Sequence, residues 1–139
     1  MPRRRPTIRD WNELGVHFYS AGAYDLAIVQ LEQAVKFAPG VAGIHFNLGG
    51  AYYGRGRIAD AEREFRAALK LEPDHARSRW FRGLCLEKLG RLDEALAEFM
   101  WVRRQAPGTR EARSAQEEID AIRLMSETNE NGEGQRNLS

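Results

Sequence analysis

Apolar positions along this chain fall in stretches of about 13 residues with the three-and-four spacing of one helix face, and the stretches come in pairs. Within each pair the two stretches are separated by a glycine turn: Ala21-Gly22-Ala23, Arg55-Gly56-Arg57 and Leu89-Gly90-Arg91. The pattern predicts antiparallel helix pairs over 8–37, 42–71 and 76–105. The turn glycines suit the left-handed conformation that closes a first helix. Asp25 and Asp93 are placed to cap the second helices, and Thr7 and Thr109 to cap the first and last helices of the chain. Each pair ends at a proline, Pro39, Pro73 or Pro107, because the residue before a proline is pushed out of helical space.

Those prolines stand 34 residues apart, and other columns keep the same interval: Gly15, Gly49, Gly83; Gly22, Gly56, Gly90; Ala27, Ala61, Ala95; and Leu31, Phe65, Phe99. A fixed period of this length marks a stack of repeated units. After Pro107, Ala112, Ala115, Ile119 and Ile122 form one apolar helix face backed by Arg110, Arg113, Gln116, Glu117, Asp120 and Arg123. Such a helix closes a stack with a polar exterior. Past Met125 the residues turn polar and carry too little apolar surface for an ordered packed element.

The motif Trp11-Asn-Glu-Leu14-Gly15-Val-His-Phe18 with Ala27, Leu31, Ala34 and Pro39 resembles a tetratricopeptide repeat. The second unit, from Asn47-Leu48-Gly49-Gly50-Ala51-Tyr52-Tyr53 to Pro73, resembles it more fully, and the third, with Gly83, Ala95, Phe99 and Pro107, is similar but weaker at its start. The resemblance covers residues 8–107. It implies an all-α, right-handed α-solenoid of three units (8–41, 42–75, 76–109) and a capping helix (110–125), seven helices within one domain over 8–125. A basic arm (1–7) and a polar tail (126–139) are expected to be disordered.

The resemblance also implies that the first helix of each unit lines a concave groove. Its columns carry Arg9, Gly43 and Arg77; Asn12, Phe46 and Trp80; Glu13, Asn47 and Phe81; Val16, Gly50 and Leu84; Tyr19, Tyr53 and Glu87; and Ser20, Gly54 and Lys88. Val16, Tyr19, Phe46, Tyr53, Trp80, Phe81 and Leu84 form an apolar surface of the kind that marks a partner site. Gly43, Gly50 and Gly54 share one helix face, either as the floor of a trough or as points of close helix packing. In the third unit Arg79 and Arg82 stand in the inward columns of Trp11 and Leu14. They call for acidic partners, or for Trp80 and Phe81 to rotate into those roles, or for a local change of register, so which of Trp80 and Phe81 faces the groove is left open.

Composition and charge narrow the chemistry. The chain has 139 residues, 42% of them hydrophobic, and a net charge of +1, which speaks against a dedicated nucleic-acid binder despite Arg3, Arg4, Arg5 and Arg9. The single cysteine, Cys85, permits no intramolecular disulfide, and no stretch reads as a signal or membrane span, so a cytoplasmic location is expected. His17, His45, His75 and Cys85 lack metal-ligand spacing; His17 and Cys85 share a column with Ala51 and read as core fillers. Glu62, Glu64, Glu94 and Glu98 read as a solvated face. No catalytic, cofactor or metal residues are expected.

The reading is a non-enzymatic adaptor that binds a peptide or helix of a partner protein through Arg9, Asn12, Val16, Tyr19, Gly43, Phe46, Asn47, Gly50, Tyr53, Arg77, Trp80, Phe81 and Leu84. Self-assembly through the same groove is the alternative. A dicarboxylate clamp for chaperone tails would need a basic ring, and only Asn47 and, approximately, Arg77 match it. Neither nucleic acid nor membrane is expected as a partner.

Overall fold

A computed structural model describes residues 4–137, with side-chain surroundings through residue 132. Among these, seven helices follow one another: α1 Ile8–Ser20, α2 Tyr24–Phe37, α3 Ala42–Arg55, α4 Ile58–Leu71, α5 Ala76–Lys88, α6 Leu92–Gln105 and α7 Arg110–Asn137. The chain is an all-α solenoid. Helices α1 and α2, α3 and α4, and α5 and α6 pack as pairs; α3 also rests on α2, α5 on α4, and α7 on α6 and α5.

The local chemistry sets these boundaries. Gly22, Gly56 and Gly90 take φ of 75°, 85° and 76°, the left-handed region that closes a first helix and that an L side chain resists. Thr7 forms a full capping box with Asp10 at the start of α1, and the Thr109 hydroxyl accepts from the Ala112 amide at the start of α7. Asp25 and Asp93 differ from expectation: α2 and α6 have Ala23 and Arg91 at the N-cap, with no side-chain cap. Each aspartate instead lies inside the first helical turn, where its charge meets the positive end of the helix dipole.

The recurring columns are close-packing devices. Leu31, Phe65 and Phe99 are wholly buried, and each presses on the glycine of its own unit. A methyl group added at Gly15, Gly49 or Gly83 would lie 2.5 Å from Leu31, 2.8 Å from Phe65 or 2.6 Å from Phe99. Only hydrogen fits at that crossing, so glycine and a large apolar residue recur together.

Two carboxylates expected on a solvated face are instead interior. Glu62 is 2% exposed and Glu98 6%, and they receive the arginines of the third unit. Arg82 donates to Glu62 from Nε (3.3 Å) and Nη2 (3.2 Å) and lies 3.6 Å from Glu98 and 3.7 Å from Glu94. Arg79 donates to Glu98 Oε1 (3.1 Å) and to the Pro73 carbonyl (2.9 Å), with its guanidinium over Trp101. The inward arginines are thus met by acids, and the helix keeps its register. One unit earlier His45 makes the corresponding contacts, 2.7 Å to Glu64 and 2.7 Å to the Pro39 carbonyl.

His17 is exposed, unlike its column partners Ala51 and Cys85, which are buried. At the two ends, Arg4 makes a two-pronged ion pair with Asp10 (2.7 and 2.8 Å), which ties residues 4–7 of the expected arm to α1; residues 1–3 lie outside the described part. Helix α7 continues past Met125, where the polar composition predicts the ordered fold to end. Packing stops near the buried Ile122, and Leu124 and Met125 are exposed. The distal turns are held along the helix itself, with Ser126 Oγ donating to the Ile122 carbonyl and Thr128 Oγ1 to that of Leu124. Residues 138–139 lie outside the described part.

Candidate functional site

The first helices of the units stand side by side, and their shared columns converge on a cavity of about 240 Å³ lined by Val16, Tyr19, Ser20, Leu31, Phe46, Asn47, Gly50, Arg77 and Phe81. Seven of the expected groove residues meet there. An eighth, Asn12, stands beside them: Asn47 Nδ2 donates to Asn12 Oδ1 (2.9 Å), which leaves Asn47 Oδ1 as an acceptor and Asn12 Nδ2 as a donor.

The aromatic wall is built by stacking. Phe81 lies parallel to Phe65 at 5.6 Å and edge-on to Phe46 and Tyr53 at 5.9 and 6.0 Å. Such pairs hold the rings in fixed positions. The Arg77 guanidinium sits 5.1 Å above the Phe46 ring, a placement that holds a cation at the mouth without burying it.

Phe81 is therefore the residue that lines this cavity, while Trp80 packs on Phe99 (5.2 Å). Trp80 lines a second cavity of about 290 Å³ with Arg77, Phe81, Arg110, Glu111 and Ser114. Arg77 and Phe81 belong to both. The other expected residues stand outside them: Arg9 is outward and paired with Glu13 (2.7 Å), Gly43 is open to solvent, Tyr53 packs on Phe81, and Leu84 packs with the lower core.

The three glycines divide. A methyl group at Gly50 would find only Tyr19, at 3.6 Å, so Gly50 is a trough position; one at Gly54 would meet the Tyr24 ring at 2.4 Å, so Gly54 is a packing position. Gly43 has nothing within 4 Å and lies beyond the cavity. Ser20, the first member of an expected groove column, also lines the cavity, whereas sequence reasoning missed Leu31, Arg110, Glu111 and Ser114. The signal for the last two was the period itself: Glu111 continues the column Arg9, Gly43, Arg77, and Ser114 continues Asn12, Phe46, Trp80.

Beyond Tyr53 in its column lies Glu87, one of whose oxygens is buried without a hydrogen-bond donor. Burial first, and a hydrogen bond shared with the Glu118 carboxyl of α7 second, push the Glu87 carboxyl up to about 7. Burial also raises the Tyr53 phenol, and it pushes the enclosed Cys85 thiol up to about 12, which keeps that sulfur in its unreactive form. Among the described residues no group of three His, Cys, Asp or Glu side chains is arranged to hold a metal, and no helix is long and apolar enough to cross a membrane.

A family model described as tetratricopeptide repeat matches residues 45–108, and a second, described as TPR repeat, matches residues 15–56. Human tetratricopeptide repeat protein 16 is 28% identical over 96 residues, 69% of this chain. The chain spans only 11% of that relative's length. Among solved structures, the first TPR of Spaghetti (RPAP3), bound to an HSP90 peptide, aligns with a TM-score of 0.79 and 24% identity over 85% of this chain and 91% of its own. The Yersinia enterocolitica type III secretion chaperone SycD, in complex with a peptide of the translocator YopD, aligns with a TM-score of 0.80 and 16% identity over 88% and 97%.

Proposed function

The chain belongs to the tetratricopeptide repeat family, and from that premise we propose that it is a non-enzymatic protein-interaction module that takes a peptide segment or helix of a partner protein into its concave groove. The observation that carries this reading is the cavity at Gly50, walled by Phe46, Phe81, Val16 and Tyr19 and edged by Asn47 and Arg77. An apolar side chain of the partner fills it. The free amide groups of Asn12 and Asn47 bond the partner's main chain, and Arg77, held over Phe46, guides an acidic residue alongside. Two neighbours of the same fold were solved with peptides of partner proteins, which supports the mode of binding and leaves the partner to be found.

The heat-shock peptide of one neighbour, SRMEEVD, has three acidic residues among its last four. Here Val16 and Phe81 stand in the groove and Asn12 and Asn47 bond each other, so apolar anchoring dominates over carboxylate capture.

Panning a random-peptide display library against the full chain tests the reading. Gly50→Leu fills the trough in a residue with good helix propensity and room for a side chain. The selected peptides are expected to share an apolar anchor and to lose at least about tenfold in affinity for Gly50→Leu, roughly 1.4 kcal/mol. Equal binding by the variant would remove the groove from the function.

A further inference from the structure

We infer that the capping helix is part of the binding site: an aspartate or glutamate side chain of the bound segment is received between Arg77 and Arg110, in the second cavity. The inference rests on the groove being the binding surface and gives the chemistry of what binds there. The cavity, of about 290 Å³, opens between α5, which supplies Arg77, Trp80 and Phe81, and the first turns of α7, which supply Arg110, Glu111 and Ser114. Arg77 and Phe81 also wall the Gly50 cavity, so one segment lying along the groove reaches both.

The two cavities differ in what they accept. The Gly50 cavity is walled mainly by aliphatic and aromatic residues, with Arg77 at its mouth over the Phe46 ring. The second has no aliphatic wall: three of its six residues are charged, and the Ser114 hydroxyl adds a donor. Among the described residues neither Arg77 nor Arg110 has an ion-pair partner, and the period shows why. Arg9, at the head of the Arg77 column, pairs with Glu13 one turn on (2.7 Å). In α5 the place of Glu13 is held by Phe81, and one turn after Arg110 stands Ser114, so neither arginine finds an acid there.

Charge and position select the occupant. Two guanidinium groups against the one Glu111 carboxylate leave the lining at +1, which a single carboxylate neutralises. A phosphate dianion would leave it negative beside Glu111, and an apolar side chain would desolvate the arginines without pairing them. Guanidinium groups bond a carboxylate with paired donors, and the rings of Trp80 and Phe81 give its methylene stem an apolar wall. The carboxylate belongs to a side chain within the segment, because a chain terminus calls for a ring of cations where α1 and α3 offer Asn12, Val16, Asn47 and Gly50. Neighbouring helices lie about 10 Å apart, so in an extended segment the acid stands about three residues from the apolar anchor.

Panning of the random-peptide library against the full chain supplies the probe, a selected peptide that loses affinity for Gly50→Leu. Such peptides are expected to carry aspartate or glutamate close to the apolar anchor. Changing that acid to its amide is expected to cost about fivefold in affinity, the upper range for a solvent-screened ion pair, and Arg110→Gln costs the same. Both changes together cost no more than either alone, the mark of direct coupling, and 1 M NaCl shrinks the difference. Arg110 is exposed, so the variant folds, which its helical spectrum checks. Three results would overturn the inference and leave the groove reading standing: selected peptides with no acid near the anchor, an amide change that costs as much in Arg110→Gln as in wild type, or tighter binding with phosphoserine in place of the acid. Failure to select any peptide that depends on Gly50 overturns the groove reading, and this inference with it.

Discussion

A methyl group at Gly49 would lie 2.8 Å from the Phe65 ring, while one at Gly43 would meet nothing within 4 Å. The two glycines share a helix and have opposite expected responses to alanine. Gly49→Ala overpacks the crossing of α3 and α4 and is expected to cost about 1–3 kcal/mol. Gly43→Ala removes backbone freedom from the unfolded chain and is expected to stabilise by about 0.5 kcal/mol. Urea unfolding monitored by circular dichroism distinguishes them, and a destabilised Gly43→Ala would contradict the open position. The recurrence of Gly15, Gly49 and Gly83 was legible in the sequence. The split between Gly50 and Gly54 was not, because both lie on one helix face and only the position of the Tyr24 ring separates a trough from a contact.

Arginines 79 and 82 show what a helix-level reading can and cannot reach. Their inward columns were visible in the 34-residue period and demanded acidic partners, yet Glu62 and Glu98 read as solvated because helical spacing does not reveal that α5 covers their face of α4 and α6. Arg82→Met leaves Glu62 and Glu98 buried with fewer donors. Arg66 and Arg91 stay within 3.7 Å of Glu62, so the expected loss is about 2–4 kcal/mol, toward the lower part of the range for a broken buried pair. Replacing both partners by the first unit's own residues, Glu62→Ile with Arg82→Leu, is expected to return stability to within about 1 kcal/mol of wild type. Denaturant midpoints of the single and double variants decide this; a double variant as weak as Arg82→Met would sink the account. Helix α7 makes the complementary point: it supplies Arg110, Glu111 and Ser114 to the second cavity because it occupies the place of a fourth first helix.

At the scale of the molecule, the Glu87 and Glu118 carboxyls join the third unit to its capping helix. Glu87 is raised from 4.5 to about 7 in the folded chain, so between these values the folded state holds more proton than the unfolded one. Stability from this group is therefore full below about 4.5, falls as pH rises toward 7, and stays lost above it. Glu87→Gln keeps the hydrogen-bonding shape without the charge. It is expected to be more stable than wild type at pH 8 by on the order of 1 kcal/mol, a figure reduced for solvent screening, with the difference vanishing near pH 4. Thermal melts of the two proteins across that range check it, and a constant difference at all pH values would refute it. The sequence by itself determined the period, the helix bounds and the turns, because helix spacing, glycine and proline act over a few residues, while the groove columns were implied by the family resemblance. Only the tertiary structure decided that Phe81 and not Trp80 lines the Gly50 cavity and that Glu62 and Glu98 are interior. Those facts depend on which unit lies against which, and burial is a property of neighbours that no single helix encodes.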